Sequence, residues 1–466
     1  AEKVWVSGAD LKLRRWLDRL PGDLVCSNPQ LCVFDAWYHL AAGEQETADR
    51  SLGAAELVLD PEADFTIEVG TSEQEQPELI SRQRLLGRIA TTRAFSAFYR
   101  GDAPEIVTQA QKALQLLPEN DLFWRSTAIQ MLGDGYDLQG DMDSVNRFRV
   151  EALQVSTVPG NSFQLMIAHL KYALVLRQQG HLERVEELCE QQLRTAGDFG
   201  MHSTVVAGWT HAIWGEVLAE QDQLEEALHR VEKGVALTEL GGDLAMLGWS
   251  YLCLTRVLYS RGELDRAEGT VCRIEHTARE SYMPPWIMNH AAAWQARIWL
   301  AQGRINAATR WVAERRLDPA GELTYPHEPE YIVLARILIA QERYGEANSL
   351  LGRLYQAAEA GGRTASSIMI LILQALAFQA GGEDDQAVAA LKRALALAEA
   401  GRFVRIFVDE GPPLARLLYQ ALSRRMAPEY VSELLGAFPA FEEPKPDQTP
   451  ALDEDYLLVE PMSCLL

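Results

Sequence analysis

Apolar and small residues along this chain recur with a period of about forty residues. Within each period they follow helical spacing, as Leu252, Val257 and Leu258 do. A glycine or a polar residue interrupts each helical stretch, and from Gly101 onward the intervals are 39, 40, 42, 40, 41, 39 and 40 residues. The nine turn residues are Gly43, Gly101, Gly140, Gly180, Asp222, Gly262, Gly303, Glu342 and Gly382. The pattern predicts stacked units of helix, short turn and helix.

Two further positions keep the same register. Seven residues before each turn the side chain is small, at Ala36, Ala94, Gly133, Ala173, Gly215, Thr255, Ala296, Ala335 and Ala375. Five residues after each turn it is small or apolar, at Ala48, Ile106, Val145, Val185, Ala227, Ala267, Ala308, Ala347 and Ala387. Such residues let paired helices approach closely, so these positions are predicted to lie where helices meet.

This spacing resembles the tetratricopeptide repeat, although the units are longer than the usual length of about thirty-four residues. The resemblance covers roughly residues 20 to 400. It implies an all-α fold, a right-handed superhelical solenoid of about nine helix-turn-helix repeats. We assign residues 1–400 to this solenoid.

The period breaks at a β-branched and aromatic segment, Phe403 to Gly411. We predict that residues 401–440 form an atypical C-terminal cap, since the last repeat of a solenoid needs one. Helices are expected from Pro413 to Leu422 and from about Ala427 to Phe438. Residues 441–466 begin with a stretch rich in Pro, Glu and Asp and are predicted to be an acidic linker.

The composition and the motifs of the chain narrow the classes of function that we expect. A net charge of −23 and a pI near 4.9 argue against direct contact with nucleic acid, because a phosphate backbone requires a basic surface. No secretory signal is recognisable, and the longest apolar segment, Ile368 to Phe378, is too short for a bilayer. The six cysteines form no metal-type pair, and the phosphate-binding, nucleophile-elbow and zinc-protease motifs are missing. We therefore expect a cytoplasmic protein that is not an enzyme and has no contact with a membrane.

Four segments resemble the large, MalT-like, ATP-binding regulators of the LuxR class. The clearest is Phe403-Val-Arg-Ile-Phe-Val-Asp-Glu-Gly411, which is similar to the end of the helical-repeat region in that group. Leu13 to Pro21, followed by Pro29 to Trp37, resembles the entry into the same region, and Tyr325 to Arg336 matches a segment common in the group. Leu458 to Ser463 looks like the run that leads into a helix-turn-helix.

The resemblance implies a central sensor domain between an N-terminal nucleotide switch and a C-terminal DNA reader. No cofactor is expected in this chain, and ATP is expected in the N-terminal domain that it lacks. The implied function is to sense an effector and to control oligomerisation in a transcriptional activator. The alternative is a generic tetratricopeptide-like scaffold that binds a peptide or protein partner.

Candidate ligand-binding residues follow from the register. In such stacks the first helix of each unit lines the concave surface, and the residues six before the turn point inward. These are Trp37, Phe95, Asp134, Leu174, Glu216, Arg256, Arg297, Arg336 and Leu376. About two helical turns earlier the same face carries Trp209, Trp249 and His290, and Tyr259 extends the middle column.

Aromatic faces combined with Arg and Glu suit a small ligand. We therefore predict a site for an inducer, or for a regulatory protein or peptide, at Trp209, Glu216, Trp249, Arg256, Tyr259, His290, Arg297 and Arg336. The other interpretation is that the aromatics are packing residues and the arginines form bridges between repeats. The sequence leaves the identity of the inducer and possible self-association open.

One ion-pair network is also expected. Asp134 and Asp137 are predicted to pair with Arg88 and Arg93 of the neighbouring repeat.

Overall fold

The computed structural model describes residues 15–17, 19–59, 76–157, 162–198 and 200–439, with the side chains of residues 76–80 left out. The predicted linker at residues 441–466, the Leu458 to Ser463 segment and part of Leu13 to Pro21 lie outside these residues. The described part is helical, with no strand in it. The first eleven helices are α1 (Gly22–Cys26), α2 (Pro29–Ala41), α3 (Gln45–Val58), α4 (Gln76–Arg100), α5 (Ala103–Leu116), α6 (Leu122–Gln139), α7 (Met142–Ser156), α8 (Ser162–Gln178), α9 (Leu182–Asp198), α10 (Val205–Glu220) and α11 (Leu224–Gly241).

The second half of the described chain continues the same alternation. Its helices are α12 (Leu244–Ser260), α13 (Leu264–Glu280), α14 (Pro285–Ala301), α15 (Ile305–Arg315), α16 (Glu328–Ala340), α17 (Tyr344–Ala360), α18 (Thr364–Ala380), α19 (Asp384–Ala398), α20 (Arg405–Val408), α21 (Pro412–Ser423) and α22 (Pro428–Ala437). Helices α2 to α19 form nine consecutive pairs within the described residues. The prediction of an all-α solenoid with about nine repeats is confirmed.

The turn inside every pair has the left-handed backbone conformation that its residue type indicated. All nine predicted turn residues have a positive φ, from 61° at Glu342 to 88° at Gly180. Glycine adopts this conformation without steric cost, which explains why it occupies seven of the nine positions. Asp222 and Glu342 adopt it with a side chain present.

Both predicted contact positions are buried in every repeat. The nine residues that follow the turn by five positions are 0% exposed. The residues seven before the turn are also buried, and at Gly215 a Cβ atom would lie only 2.5 Å from Val231 Cγ1. Small residues at these positions therefore set how closely the paired helices pack.

Polar residues fix where several first and second helices begin. The Asn28 side chain accepts from the amides of Gln30 and Leu31 at the start of α2, and Asp243 accepts from the amide of Met246 at the start of α12. These bonds satisfy amide groups that have no partner inside the helix.

Repeats that are far apart in sequence also contact one another. The amide of Tyr282 donates to the carbonyl oxygen of Gly43 at 3.1 Å. The Tyr99 hydroxyl donates to Asp243 Oδ1 at 3.3 Å, across 144 residues of chain. The superhelix is therefore tight enough for the first helices of distant repeats to surround one central space.

The segment from Phe403 to Gly411, which we call the C-terminal segment, enters this space rather than only covering the last repeat. Its apolar side chains are buried, with Phe403 3% exposed and Phe407 0% exposed. The amides of Val404 and Ile406 donate to the backbone and side-chain oxygens of Glu220 at 3.0 and 2.8 Å. Helices α21 and α22 follow at the predicted places.

Candidate functional site

A central cavity of ≈ 450 Å³ runs along the inner face of the first helices. Of the nine residues that lie six positions before a turn, all except Leu376 line it. The inward direction assigned to these positions from the sequence is therefore what the structure has. The 3-10 turn Tyr325–His327 and the C-terminal segment complete the wall through Tyr325, Phe403 and Ile406.

The structure brings most of the predicted ligand-binding residues to this cavity. The lining residues among them are Trp209, Glu216, Trp249, Arg256, His290, Arg297 and Arg336. Tyr259 is not a lining residue. The centroid of its ring instead lies 4.6 Å from the guanidinium carbon of Arg297, so Tyr259 packs against that side chain.

Aromatic rings form a continuous path along the wall, which we call the aromatic ribbon. Consecutive ring centroids lie 4.1, 6.3, 5.4, 6.1 and 5.7 Å apart. The ribbon consists of Trp37, Phe95, Phe98, Trp286, Trp249 and His290, and all six line the cavity. The step from Phe98 to Trp286 joins helices α4 and α14, so the ribbon depends on the contact between distant repeats.

His290 ends the ribbon as a neutral imidazole. Burial lowers its pKa, although the hydrogen bond with the Trp286 carbonyl acts in the opposite direction. Its Nδ1 lies 2.9 Å from that carbonyl oxygen, so Nδ1 is the donor and Nε2 is left as an acceptor.

Asp134 is the centre of a buried charge cluster, but its partners are not those expected. It pairs with Arg149 at 2.6 Å and also with Lys171. The predicted network with Arg88 and Arg93 is wrong. Arg88 pairs at 3.0 Å with Asp121, which directly precedes α6, whereas Asp134 lies twelve residues beyond the start of that helix. Arg93 pairs instead with Asp49 and Glu56, both at 2.9 Å.

Arg177 links the charged and aromatic parts of the wall. It donates to Glu216 at 2.6 Å, and its guanidinium carbon lies 5.6 Å from the centroid of Trp249. The Cys253 thiol lies 3.7 Å from the other oxygen of Glu216. Each carboxylate oxygen of Glu216 thus has a partner, and its bond with Arg177 helps to hold that guanidinium group over the Trp249 ring.

The run of arginines that stood out in the sequence is held by acidic groups. Arg256 pairs with Glu220. Arg297 and Arg336 both pair with Glu410 of the C-terminal segment, at 3.1 and 2.5 Å. Burial alone would raise the pKa of Glu410, but Arg336 and Arg297 outweigh it and lower the pKa. These arginines face the cavity while their charges are already compensated.

Sequence reasoning missed several residues of the wall. Lys171, Arg177, Tyr325 and Phe403 all line the cavity, and none stands at the two register positions used to find inward-facing residues. A weak signal existed for α8, since its inner face carries Leu174 at the expected offset. Tyr325 and Phe403 begin segments that resemble the family, but the helical register does not show that they face the cavity, because contacts with distant repeats place them there.

The family model of the MalT-like TPR region matches residues 87–424. The chain belongs to this family. Among curated relatives, the MalT-like region is 23% identical over 418 residues to the HTH-type transcriptional regulator MalT of Vibrio campbellii (strain ATCC BAA-1116), covering 89% of this chain. The MalT of Yersinia enterocolitica is also 23% identical, over 420 residues and 90% of the chain. The chain spans 44% of the length of each relative, so it corresponds to part of such a regulator.

A solved structure of a Rap protein complexed with Competence and Sporulation Factor shares the fold. It superposes with a TM-score of 0.56 and 14% identity, covering 80% of this MalT-like chain and 98% of that one. The solved structure shows the helical-repeat fold, and the family match shows that the chain is a MalT-like TPR region.

The described residues contain neither a membrane-spanning helix nor a cluster of metal ligands. No helix there is long and apolar enough to cross a membrane. Nor does that part of the chain group three or more His, Cys, Asp or Glu side chains in a way that could hold a metal ion.

Proposed function

We propose that this domain senses a small effector in its central cavity and controls the assembly of a MalT-like transcriptional activator. The observation that carries the proposal is the cavity itself, in which aromatic faces and directed polar groups converge from distant repeats. Ligand sites typically combine a largely apolar wall with a few polar groups that fix orientation.

The geometry offers a way to transmit binding. The wall contains helices from most of the repeats and two residues of the C-terminal segment, Phe403 and Ile406. An effector that prefers one spacing of these helices would shift the population toward that curvature of the superhelix. The C-terminal segment and the two helices after it would move with the wall. In the complete regulator, such a shift would act on the adjoining domains and on self-association.

The competing proposal is a scaffold that binds an extended peptide or a protein. The Rap protein of similar fold was crystallised with Competence and Sporulation Factor. In this chain, however, Glu410 and its neighbours occupy the arginine-lined part of the inner face. The remaining volume of ≈ 450 Å³ suits a small molecule better than a folded partner.

A thermal-shift screen tests the proposal. The chain is heated with a library of metabolites, oligosaccharides and short peptides, since a ligand that binds only the folded state raises the melting temperature. We expect at least one small molecule to do so, and expect Trp249→Ala to abolish its effect. A library in which only peptides raise the melting temperature would favour the scaffold.

A further inference from the structure

The positive charges in the cavity wall are paired within the protein. Each Lys or Arg among the lining residues that the structure describes has an acidic partner. Arg149 and Lys171 pair with Asp134, Arg177 with Glu216, Arg256 with Glu220, and Arg297 and Arg336 with Glu410.

Two of these groups place two cations around one acid, and in both a nearby carboxylate restores the balance. Asp137 is half-buried beside the first group, and the positive charges of Arg149 and Lys171 act to lower the pKa of its carboxyl group. It also lines the cavity.

In the second group the balance comes from the C-terminal segment. Arg405 pairs with Asp222 at 3.1 Å and also with Asp409. Together with Glu410, these two aspartates match the charges of Arg405, Arg297 and Arg336. No cation of this group is left over for a ligand.

A negatively charged ligand would therefore meet an unfavourable site. It would lose its hydration without gaining an unpaired counter-charge, or it would have to break a buried pair and leave one charge uncompensated. An uncharged ligand avoids both costs. It gains its affinity from the aromatic ribbon, where rings from four helices offer flat apolar faces.

We infer that the cavity selects an uncharged ligand that stacks on the aromatic ribbon, and that it rejects negatively charged analogues of the same ligand. This inference rests on the proposed function, because it assumes that the cavity is a binding site. It names the class of ligand that the site accepts.

Matched pairs of probes test the selection. Benzamide and benzoate differ by one charge on an aromatic scaffold, and a neutral disaccharide and its uronic acid differ by one charge on a sugar scaffold. Saturation-transfer NMR on the complete 466-residue chain measures the binding of each. We expect a neutral member to bind and its charged counterpart to bind about tenfold more weakly or not at all. Binding of benzamide would indicate an aromatic ligand, and binding of the neutral disaccharide would indicate a sugar.

A charge-changing variant makes the test sharper. Glu410→Gln keeps the shape of the side chain but leaves Arg297 and Arg336 without their shared acid. The variant is expected to gain about tenfold or more affinity for the charged probe while its affinity for the neutral probe stays the same. Glu190→Gln is the matched control, because Glu190 pairs with Arg194 on an exposed surface. The control should bind like the parent chain.

Circular dichroism shows whether Glu410→Gln is folded. If it is not, Glu216→Gln serves the same purpose, since it removes the acid that pairs with Arg177. Charged probes that bind the parent chain as tightly as neutral ones would overturn the inference and leave the proposed function standing. An unchanged affinity of a folded variant for the charged probe would overturn it as well. If no probe binds the parent or either variant, both the inference and the proposed small-molecule site are contradicted.

Discussion

The carbonyl oxygen of Gly43 accepts a hydrogen bond of 3.1 Å from the amide of Tyr282. Gly43 stands in the turn of the first repeat, and Tyr282 precedes the first helix of a distant one. A Cβ atom at residue 43 would lie 2.8 Å from the backbone nitrogen and oxygen of Tyr282 and 2.7 Å from Leu244 Cδ1. The glycine thus serves both the turn and the closure of the superhelix around its cavity.

Substitution of Gly43 separates these two roles. Gly262→Ala is the matched control, because Gly262 has nearly the same φ, 75° against 76°, and nothing lies within 4 Å of its added Cβ. The control is expected to lose about 1 kcal/mol of unfolding free energy from the left-handed backbone alone. Gly43→Ala is expected to lose about 3 kcal/mol, because the contact with Tyr282 must also open. Urea unfolding measures both values, and equal losses would contradict this closure.

Helix packing gives a second comparison of glycines. A Cβ at Gly215 would lie 2.5 Å from Val231 Cγ1 and 2.8 Å from the Ala227 carbonyl, whereas Gly352 has open space around it. Gly352→Ala is expected to stabilise the chain by about 0.5–1 kcal/mol through helix propensity. Gly215→Ala is expected to destabilise it by about 1–2 kcal/mol through overpacking. Thermal melts distinguish the two, and a stabilising Gly215→Ala would show that α10 and α11 can separate at little cost.

The sequence predicts the repeat well because each unit has the same turn and the same helix contacts at the same spacing. A left-handed turn favours glycine, and the register of Gly140 or Gly303 fixes which residues of the preceding helix are buried and which face inward. The inward position of Asp134, Arg297 or Arg336 could be read from that register.

The site is predicted less well because many of its contacts form between different repeats and the C-terminal segment. Glu410 pairs with Arg297 and Arg336 only after the C-terminal segment enters the superhelix, and no local pattern encodes that path. Similarly, Phe98 meets Trp286 only because distant repeats touch. The pairing of Asp134 with Lys171 depends on how far neighbouring repeats rotate, which the helical period does not give.

The buried Asp134 cluster should be essential for stability. Asp134 is 5% exposed, and Asp134→Asn would leave the charges of Arg149 and Lys171 without their nearest acid. A loss of about 3–5 kcal/mol is expected, as for other broken buried pairs. Glu190→Gln, which breaks an exposed pair with Arg194, is expected to leave the urea midpoint unchanged. Similar midpoints for the two variants would mean that the cluster contributes little.

Ionisation of Asp137 is expected to make the free energy of unfolding depend on pH. Burial raises its pKa to about 6, although Arg149 acts against this shift. Because the folded chain holds the proton more tightly than the unfolded chain, this contribution to stability is present below about pH 4 and is lost as the pH rises through 6. Asp137→Asn should therefore be more stable than the parent at pH 7, by about 3 kcal/mol, and similar to it at pH 4. Urea unfolding at the two pH values measures this, and a variant less stable than the parent at pH 7 would show that the charged form is favoured instead.

The most direct test of the cavity as an effector site is calorimetric titration of a small molecule found by the thermal-shift screen. Trp249→Ala removes a ring of the aromatic ribbon, and Tyr419→Ala removes an aromatic side chain that is 54% exposed and is not a lining residue. We expect the parent and Tyr419→Ala to bind with equal affinity and Trp249→Ala to bind about tenfold or more weakly, since a stacked aromatic contributes of the order of 1 kcal/mol beyond its buried area. Equal affinity of all three chains would contradict binding in this cavity.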